Sequence, residues 1–451
     1  MSEISKKKVS FFHLLLPILF LLFLIIYGLI LQPRIFDQPA FPLEIVFLLA
    51  AVFSSGHLLF LGFKWETIQK AIVKKLAKGF PAVLILFAIG LIIGTWIVSG
   101  TIPMLIYYGI KLIDPSYMYI LAFVIPIIFS TLTGTSWGSV ATIGTVLIGV
   151  AASVDAHMGI TAGAIIGGAY FGDKMSPLSD TTNLAAMAVD IDLYDHIKSM
   201  MYTTLPSAII ASILFFILGF MYPPVSNGAT NIQTTETLAS LDKMFHFNVF
   251  LLIPPIIVLY GSLKKMATLP TLLASAVVSC ILALIFQNFG IGEIMEVLKS
   301  GYNTSMATWM AVVPDQIQTL LNRGGLFELN EVIVFTLMAL TFIGTIDVTD
   351  AMPRIVNRVF GFTKTKSAVI LSSLVSTAFT NSITSNQSAT SFIIGDAFKK
   401  RYDAFKISRR VLSRSIEDYG TMIESIIPWT STTLFMSVTL GVAFEDYWHW
   451  Q

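Results

Sequence analysis

The chain has 451 residues, of which 55% are hydrophobic and only 12% are charged, with a formal net charge of +1. A soluble domain carries roughly twice that charged fraction, so with a mean hydropathy of +0.78 this is a polytopic membrane protein rather than a soluble enzyme on an anchor. The near-neutral charge gives no reason to expect a nucleic-acid partner, and the single cysteine, Cys280, can form neither an internal disulfide nor a metal cluster.

In chain order, the first apolar run covers 11–31 and follows Lys6, Lys7 and Lys8. It is long and lacks a small-residue cleavage site, so it predicts a first membrane helix rather than a removed leader. Further runs of spanning length cover 43–63, 80–99, 157–189, 203–222, 247–263, 267–287, 331–347 and 411–439. Each is close to the ~20 residues that a bilayer requires. Two shorter apolar pairs, 117–129 with 140–153 and 368–379 with 388–398, flank polar tips and predict re-entrant hairpins. A polar outer loop is expected over 223–246, and amphipathic segments over 291–298 and 317–321. Trp65, Trp96, Trp448 and Trp450 lie near span ends and read as interfacial anchors.

The charges test this layout. With a cytoplasmic N-terminus and nine crossings, 22 Lys and Arg fall inside and 5 outside, and Lys174 alone lies within the membrane. That bias is the positive-inside pattern. The expected location is therefore the cell membrane, multi-pass, with the bilayer as solvent.

The chain also repeats itself. Ile93, Gly94, Thr95 and Pro103 recur as Ile343, Gly344, Thr345 and Pro353, an offset of 250. Pro177, Thr181 and Thr182 recur as Pro428, Thr432 and Thr433, an offset of 251, with Asp173 matched by Glu424. The hairpin tips align at 246, matching Ser130, Thr131, Ser136 and Ser139 with Ser376, Thr377, Ser382 and Ser385. The fold class expected is all-α, with inverted repeats, two re-entrant hairpins and two broken transmembrane helices. It forms one integral membrane domain over 1–451, with repeat one at about 11–222 and repeat two at about 247–440. Transporters place their sites where such repeats meet.

The chemistry concentrates at the broken runs. The segment 171–184, FGDKMSPLSDTTNL, interrupts a spanning run with Asp173, Lys174, Asp180 and Pro177. Charges at that depth mark an ion or substrate path. Sodium is a hard cation that favours oxygen ligands. Asp180 is the first candidate for sodium and proton coupling, because Ser179, Thr181, Thr182 and Asn183 crowd oxygens around it; Asp173 is the second, with Thr135 and Ser136 at the first tip. A second ion or substrate site is drawn from Lys174, Asn381, Ser382, Thr384, Ser385, Asn386, Glu424, Thr432 and Thr433. Lys174 can neutralise an aspartate when sodium is absent, bind an organic carboxylate or snorkel to water. Glu417 shares a helical face with Arg410 and Arg414, which suggests an ion pair.

No phosphate-binding GxxxxGK[ST] loop occurs, so ATP drive is not expected. Gly134 to Gly138 spells GxSxG, but that motif has meaning only on a strand-to-helix turn with a histidine in reach. The chain is read as a transporter, not an enzyme, with no cofactor.

GTSWGS at 134–139, FGDKMSPLSDTTNLA at 171–185 and LLNRGG at 320–325 resemble the NhaC-type sodium/proton antiporter family across essentially the whole chain. The resemblance implies sodium and proton exchange. Because the family includes malate/lactate antiporters, it also admits small organic acids as cargo. It places the motif's aspartates at Asp173 and Asp180 and its tip at Thr135 and Ser136, and by analogy it implies a homodimer.

Overall fold

The computed structural model describes residues 9–224, 228–360 and 364–451; Lys6, Lys7, Lys8 and the expected loop around Ser226 lie outside the described residues. Among the described residues every regular element is helical. A hydrocarbon solvent leaves little choice, since each backbone polar group has to be satisfied within its own segment. Nine of the described helices are long and apolar enough to cross a membrane.

Six of the nine fall on expected spans: Phe11–Ile35, Leu43–Phe60, Trp65–Val98, Thr204–Met221, Thr268–Phe286 and Asn330–Asp347. The other three, Pro115–Thr133, Ser136–Ser153 and Lys366–Thr384, are arms that the sequence reading cut short at their polar ends. The hydroxyls there do not end the helix. Thr131 Oγ1 donates to Ile127 O at 2.7 Å, Ser376 Oγ to Ser372 O at 2.6 Å and Thr377 Oγ1 to Ser373 O at 2.7 Å. Each hydroxyl bonds one turn back, so a polar residue continues the helix.

Three further expectations are corrected. The polar outer loop contains a helix, Gly228–Met244. Thr237, Leu241 and Met244 are buried at helical spacing on one face of it. The run at 247–263 is not one of the nine: its helix, Val249–Leu263, is shorter than those and joins Thr234–Met244 at a bend of 102°. Trp96 is no interfacial anchor, because it is buried and its Nε1 donates to Ser275 Oγ at 3.0 Å.

Left-handed backbone positions recur along the chain. Gly100 and Asp350 (φ 86° and 50°), Gly134 and Ser385 (69° and 45°), Asp155 and Lys406 (53° and 52°), and Asp190 and Gly441 (56° and 67°) stand 250 or 251 residues apart. The caps keep the same spacing. Thr135 Oγ1 accepts from Gly138 N, as Asn386 Oδ1 does from Ala389 N. The Thr133 and Ser139 hydroxyls lie 3.2 Å apart, and those of Thr384 and Thr390 3.0 Å. The tip register of 246 is therefore corrected to 251. In local conformation, Ser136 corresponds to Gln387, not to Ser382.

The chain forms two compact units, interleaved in sequence. One comprises Met1–Val83, Ala188–Asp190 and Glu331–Ser431. In it, Phe47 packs edge-on against Phe335 and Phe342, and Thr345 Oγ1 donates to Ser54 Oγ at 2.7 Å. The helix Arg409–Glu424 packs on Lys366–Thr384 and Gln387–Ala404. Arg409 pairs with Asp190 at 3.2 Å and with Asp403 at 2.6 Å, and its hydrogen bond holds the Asp403 carboxyl below the usual carboxylate range.

The other unit comprises Leu84–Met187, Ile191–Asn330 and Thr432–Gln451. Its central pair is Met118–Thr133 against Met158–Met175. The two backbones meet at glycines: a Cβ on Gly168 would strike Phe123 O, and one on Gly172 would strike the Ile127 to Thr131 backbone. Small residues of this kind let membrane helices approach closely. In the LLNRGG segment, Gly324 (φ 95°) presses against the Gly94 backbone, and Arg323 donates to Val438 O and Thr439 O at 3.2 and 2.6 Å. A cation thus sits at the end of the helix Ser431–Leu440, where the last carbonyls have no partner within the helix.

Candidate functional site

The helix Met158–Met175 stops at Ser176, and a new one starts at Asp180. Pro177 lies in the gap. A proline donates no backbone hydrogen bond, so the ladder cannot continue through it. Side chains take over the groups this exposes. Ser176 Oγ accepts from Leu178 N at 3.2 Å. Thr182 Oγ1 donates to Lys174 O at 3.3 Å, and Asn183 Nδ2 donates to Ser179 O at 2.6 Å and Pro177 O at 3.1 Å. Of the expected oxygen ligands, then, Asn183 and Thr182 hold the break together. Ser179 and Thr181 share a hydroxyl contact of 3.1 Å.

Asp173, at this break, is buried, with 4% of its surface exposed. Its Oδ2 accepts two hydrogen bonds from one residue, from Ser136 N at 3.1 Å and Ser136 Oγ at 2.8 Å. Ser136 opens the continuous helical run Ser136–Ser153, whose N-cap is Thr135. The positive end of that run faces an anion, a favourable arrangement. The tip is pressed onto the break. Gly134 stands at φ 69°, and a Cβ there would lie 2.7 Å from Leu178 C and 2.9 Å from Ser179 N. The other oxygen, Oδ1, is buried and accepts no well-formed hydrogen bond, although the Ser179 hydroxyl and the Asp180 charge both act on the carboxylate. Lys174, beside it in sequence, is 2% exposed.

Asp180, the sequence's first candidate, stands differently. It is exposed, and its Oδ1 accepts from the backbone N of its own neighbour Thr181 at 3.0 Å. Serving as the first residue of a short helix accounts for that geometry. The GxSxG spacing at Ser136 lies between two helices, and its hydroxyl is directed to a carboxylate.

The second polar centre lies wholly in the other unit. Asn381 Nδ2 donates to Gly420 O at 2.7 Å, and Gln387 Nε2 to Ile416 O at 3.1 Å. Asn381 Oδ1 and Gln387 Oε1 are buried without a hydrogen-bond partner among the described residues. Ser385 Oγ accepts from Ser431 N at 2.8 Å, Trp429 Nε1 donates to Ser382 O at 2.9 Å, and Thr430 Oγ1 donates to Glu424 O at 2.6 Å. Ser382 Oγ turns back to Phe379 O within its own helix. Thr384 and Asn386 serve the tip as described above. Glu417 is fully buried and accepts from Thr421 Oγ1 at 2.9 Å. Thr432 and Thr433 belong to the first break's unit. Sequence reasoning missed Gly420; Gln387 closes the amide-rich second tip, 380–387, but it is matched with Ser136 only when the 251 offset visible at Pro177 and Pro428 is applied to the tips.

An all-helical membrane protein that keeps a buried aspartate and lysine beside an interrupted helix belongs among the membrane carriers, since ionisable groups at such positions mark transport paths. The chain belongs to the Na+/H+ antiporter family, whose model matches residues 168–450. It is 41% identical over 417 residues to an uncharacterized Na+/H+ antiporter of Haemophilus influenzae, covering 92% of this chain and 88% of that protein. It is 33% identical over 444 residues to the Na+/H+ antiporter NhaC of Bacillus subtilis, covering 98% and 95%. It is also 33% identical over 390 residues to a malate-2H+/Na+-lactate antiporter of Bacillus subtilis, covering 86% and 81%.

The Ser136 bond to Asp173 can be checked directly. Ser136→Ala removes a hydrogen bond to a buried carboxylate and should destabilise the protein by about 1.5–3 kcal/mol. Ser136→Thr, which keeps the hydroxyl, should recover most of that. Thermal unfolding of the purified variants in detergent measures the difference, and an unchanged melting temperature for Ser136→Ala would mean that this bond does not hold the carboxylate.

Proposed function

We propose that the protein exchanges sodium for protons across the cell membrane, with Asp173 as the carboxylate that the two ions share. One observation carries the assignment: in a chain of the Na+/H+ antiporter family, Asp173 is buried at an interrupted helix with one oxygen held by Ser136. An ionised carboxylate attracts a cation, and a protonated one does not. A proton and a sodium ion that compete for one group are coupled by that competition alone. Ser136, Thr135, Ser179, Thr181 and the exposed carbonyls of the break are the neutral oxygens within reach of this role. Asp180, exposed and at the mouth of the same break, is the second carboxylate on the route.

Asp173→Asn should leave the protein folded, because an amide is cheaper to bury than a charge. It should abolish sodium-dependent proton movement in proteoliposomes, whereas Asp180→Asn should retain part of it. In the wild type, apparent sodium affinity should weaken as pH falls, by up to about tenfold per unit below the site's pKa when one proton competes with one ion. Wild-type affinity and pH dependence in Asp173→Asn would transfer the role to Asp180.

A second reading adds a small organic acid as cargo. Its support is the similarity to a malate-2H+/Na+-lactate antiporter and the buried cation Lys174. Proteoliposomes separate the two: sodium uptake that needs internal malate or lactate supports organic-acid exchange, and uptake driven by a proton gradient alone supports simple exchange.

The architecture that serves this exchange is a pair of inverted repeats, each with a hairpin and a broken helix. Its support is the run of left-handed residues and caps that recur at 250–251. The 22-to-5 charge bias supports a cytoplasmic N-terminus. A cysteine at Ser226 should then react with a membrane-impermeant reagent from the outside only; labelling from the cytoplasmic side alone would reverse the orientation.

A further inference from the structure

A basic cleft opens where the first membrane helix begins. The helix Phe11–Ile25 starts after Ser10, whose extended backbone leads in from Val9 and whose hydroxyl caps no amide. Packed against this end is the short helix Ala351–Val359. That helix is amphipathic. Ala351, Met352, Ile355 and Val356 are buried, while Arg354, Asn357 and Arg358 are exposed. The two helices enclose a cleft of about 790 Å³ lined by Ser10, Phe11, Leu14, Arg354, Asn357 and Arg358.

The guanidiniums are held in place. Arg354 Nη2 donates to Val9 O at 2.8 Å, and the Arg358 guanidinium lies over the Phe11 ring, 5.0 Å from its centre. Among the described residues, the sequence flanking the second helix adds Lys364 and Lys366 against Asp347 and Asp350, and Asp347 is already paired with Lys75 at 2.9 Å. Phe11 is also where the apolar run starts, so the cleft lies at the depth of the lipid headgroups. Its walls divide accordingly. Two planar, permanently charged forks that match a phosphate line one part, and Phe11 and Leu14 line the other, where the stem of a lipid would lie.

We propose that this cleft binds the phosphate headgroup of an anionic phospholipid. A zwitterionic lipid fits less well: its phosphate is offset by its own ammonium, and the lining residues include no carboxylate to receive that ammonium. Basic pockets at the ends of membrane helices recognise anionic headgroups by this chemistry. The assignment does not depend on which ion or acid the protein carries.

The test is native mass spectrometry of the full-length protein, delipidated in neutral detergent and titrated with phosphatidylglycerol or phosphatidylcholine. Wild type should retain phosphatidylglycerol in preference. Each arginine removed should weaken that retention about fivefold, in Arg358→Gln alone and further in Arg354→Gln with Arg358→Gln. Arg358 packs on the Phe11 ring and takes no part in the Arg354 bond to Val9, so Arg358→Gln reports on the cleft even if loss of that bond disturbs folding. Equal retention of the two lipids by wild type, or unchanged phosphatidylglycerol binding in Arg358→Gln, would overturn the proposal. Displacement of the lipid by inorganic phosphate at comparable concentration would overturn the lipid assignment in favour of a free-anion site.

Discussion

Everything in this molecule answers to one constraint: within a bilayer there is no water to satisfy a backbone group that its own helix has left unpaired. An interrupted helix is therefore costly unless side chains supply the missing partners. At the first break they do. Ser176, Ser179, Thr182 and Asn183 serve the carbonyls and amides that Pro177 and the end of the helix expose. The same residues that make the segment look like an ion site in sequence are what make the break affordable in structure. The second break follows suit with Thr430 on Glu424 O and Ser385 on Ser431 N.

A site in such a medium also needs its charge held without water. Asp173 achieves this with a backbone amide and a hydroxyl from Ser136, both at the start of a helical run. The glycines make that approach possible. Gly172 lets the carboxylate's own helix lie against Ile127 and Ser130, and Gly134 lets the tip turn left-handed onto Leu178. One oxygen of the carboxylate is thereby fixed, while the other accepts no well-formed bond from the protein. That asymmetry fits the proposed role, in which the carboxylate holds an ion and releases it.

The second centre adds amides to a buried carboxylate, Glu417, that a threonine holds. Gln387 stands where Ser136 stands, and its amide lies against the bare backbone of Gly420. Two amide oxygens, on Asn381 and Gln387, remain buried without partners among the described residues. Amides both donate and accept, so this centre is chemically broader than the first. Left-handed residues and caps recur at matched positions 250–251 apart, and the groups mounted beside them differ.

The sequence by itself determined the class of protein, because hydropathy and charge are sums over residues that need no geometry. It also located the interrupted segments, since a proline among charges and hydroxyls cannot be an ordinary span. It did not fix helix ends at the tips. Whether Thr131 or Thr377 stops a helix depends on whether its hydroxyl bonds one turn back, and only the folded backbone settles that. Nor did it fix the register of the tips, where serine matches at 246 outweighed the 250–251 that four pairs of left-handed residues keep. Which carboxylate is buried was likewise a tertiary decision. Asp180 has the denser local cluster of oxygens, but Asp173 meets Ser136, 37 residues earlier, and that bond exists only because glycines let two helices close on each other.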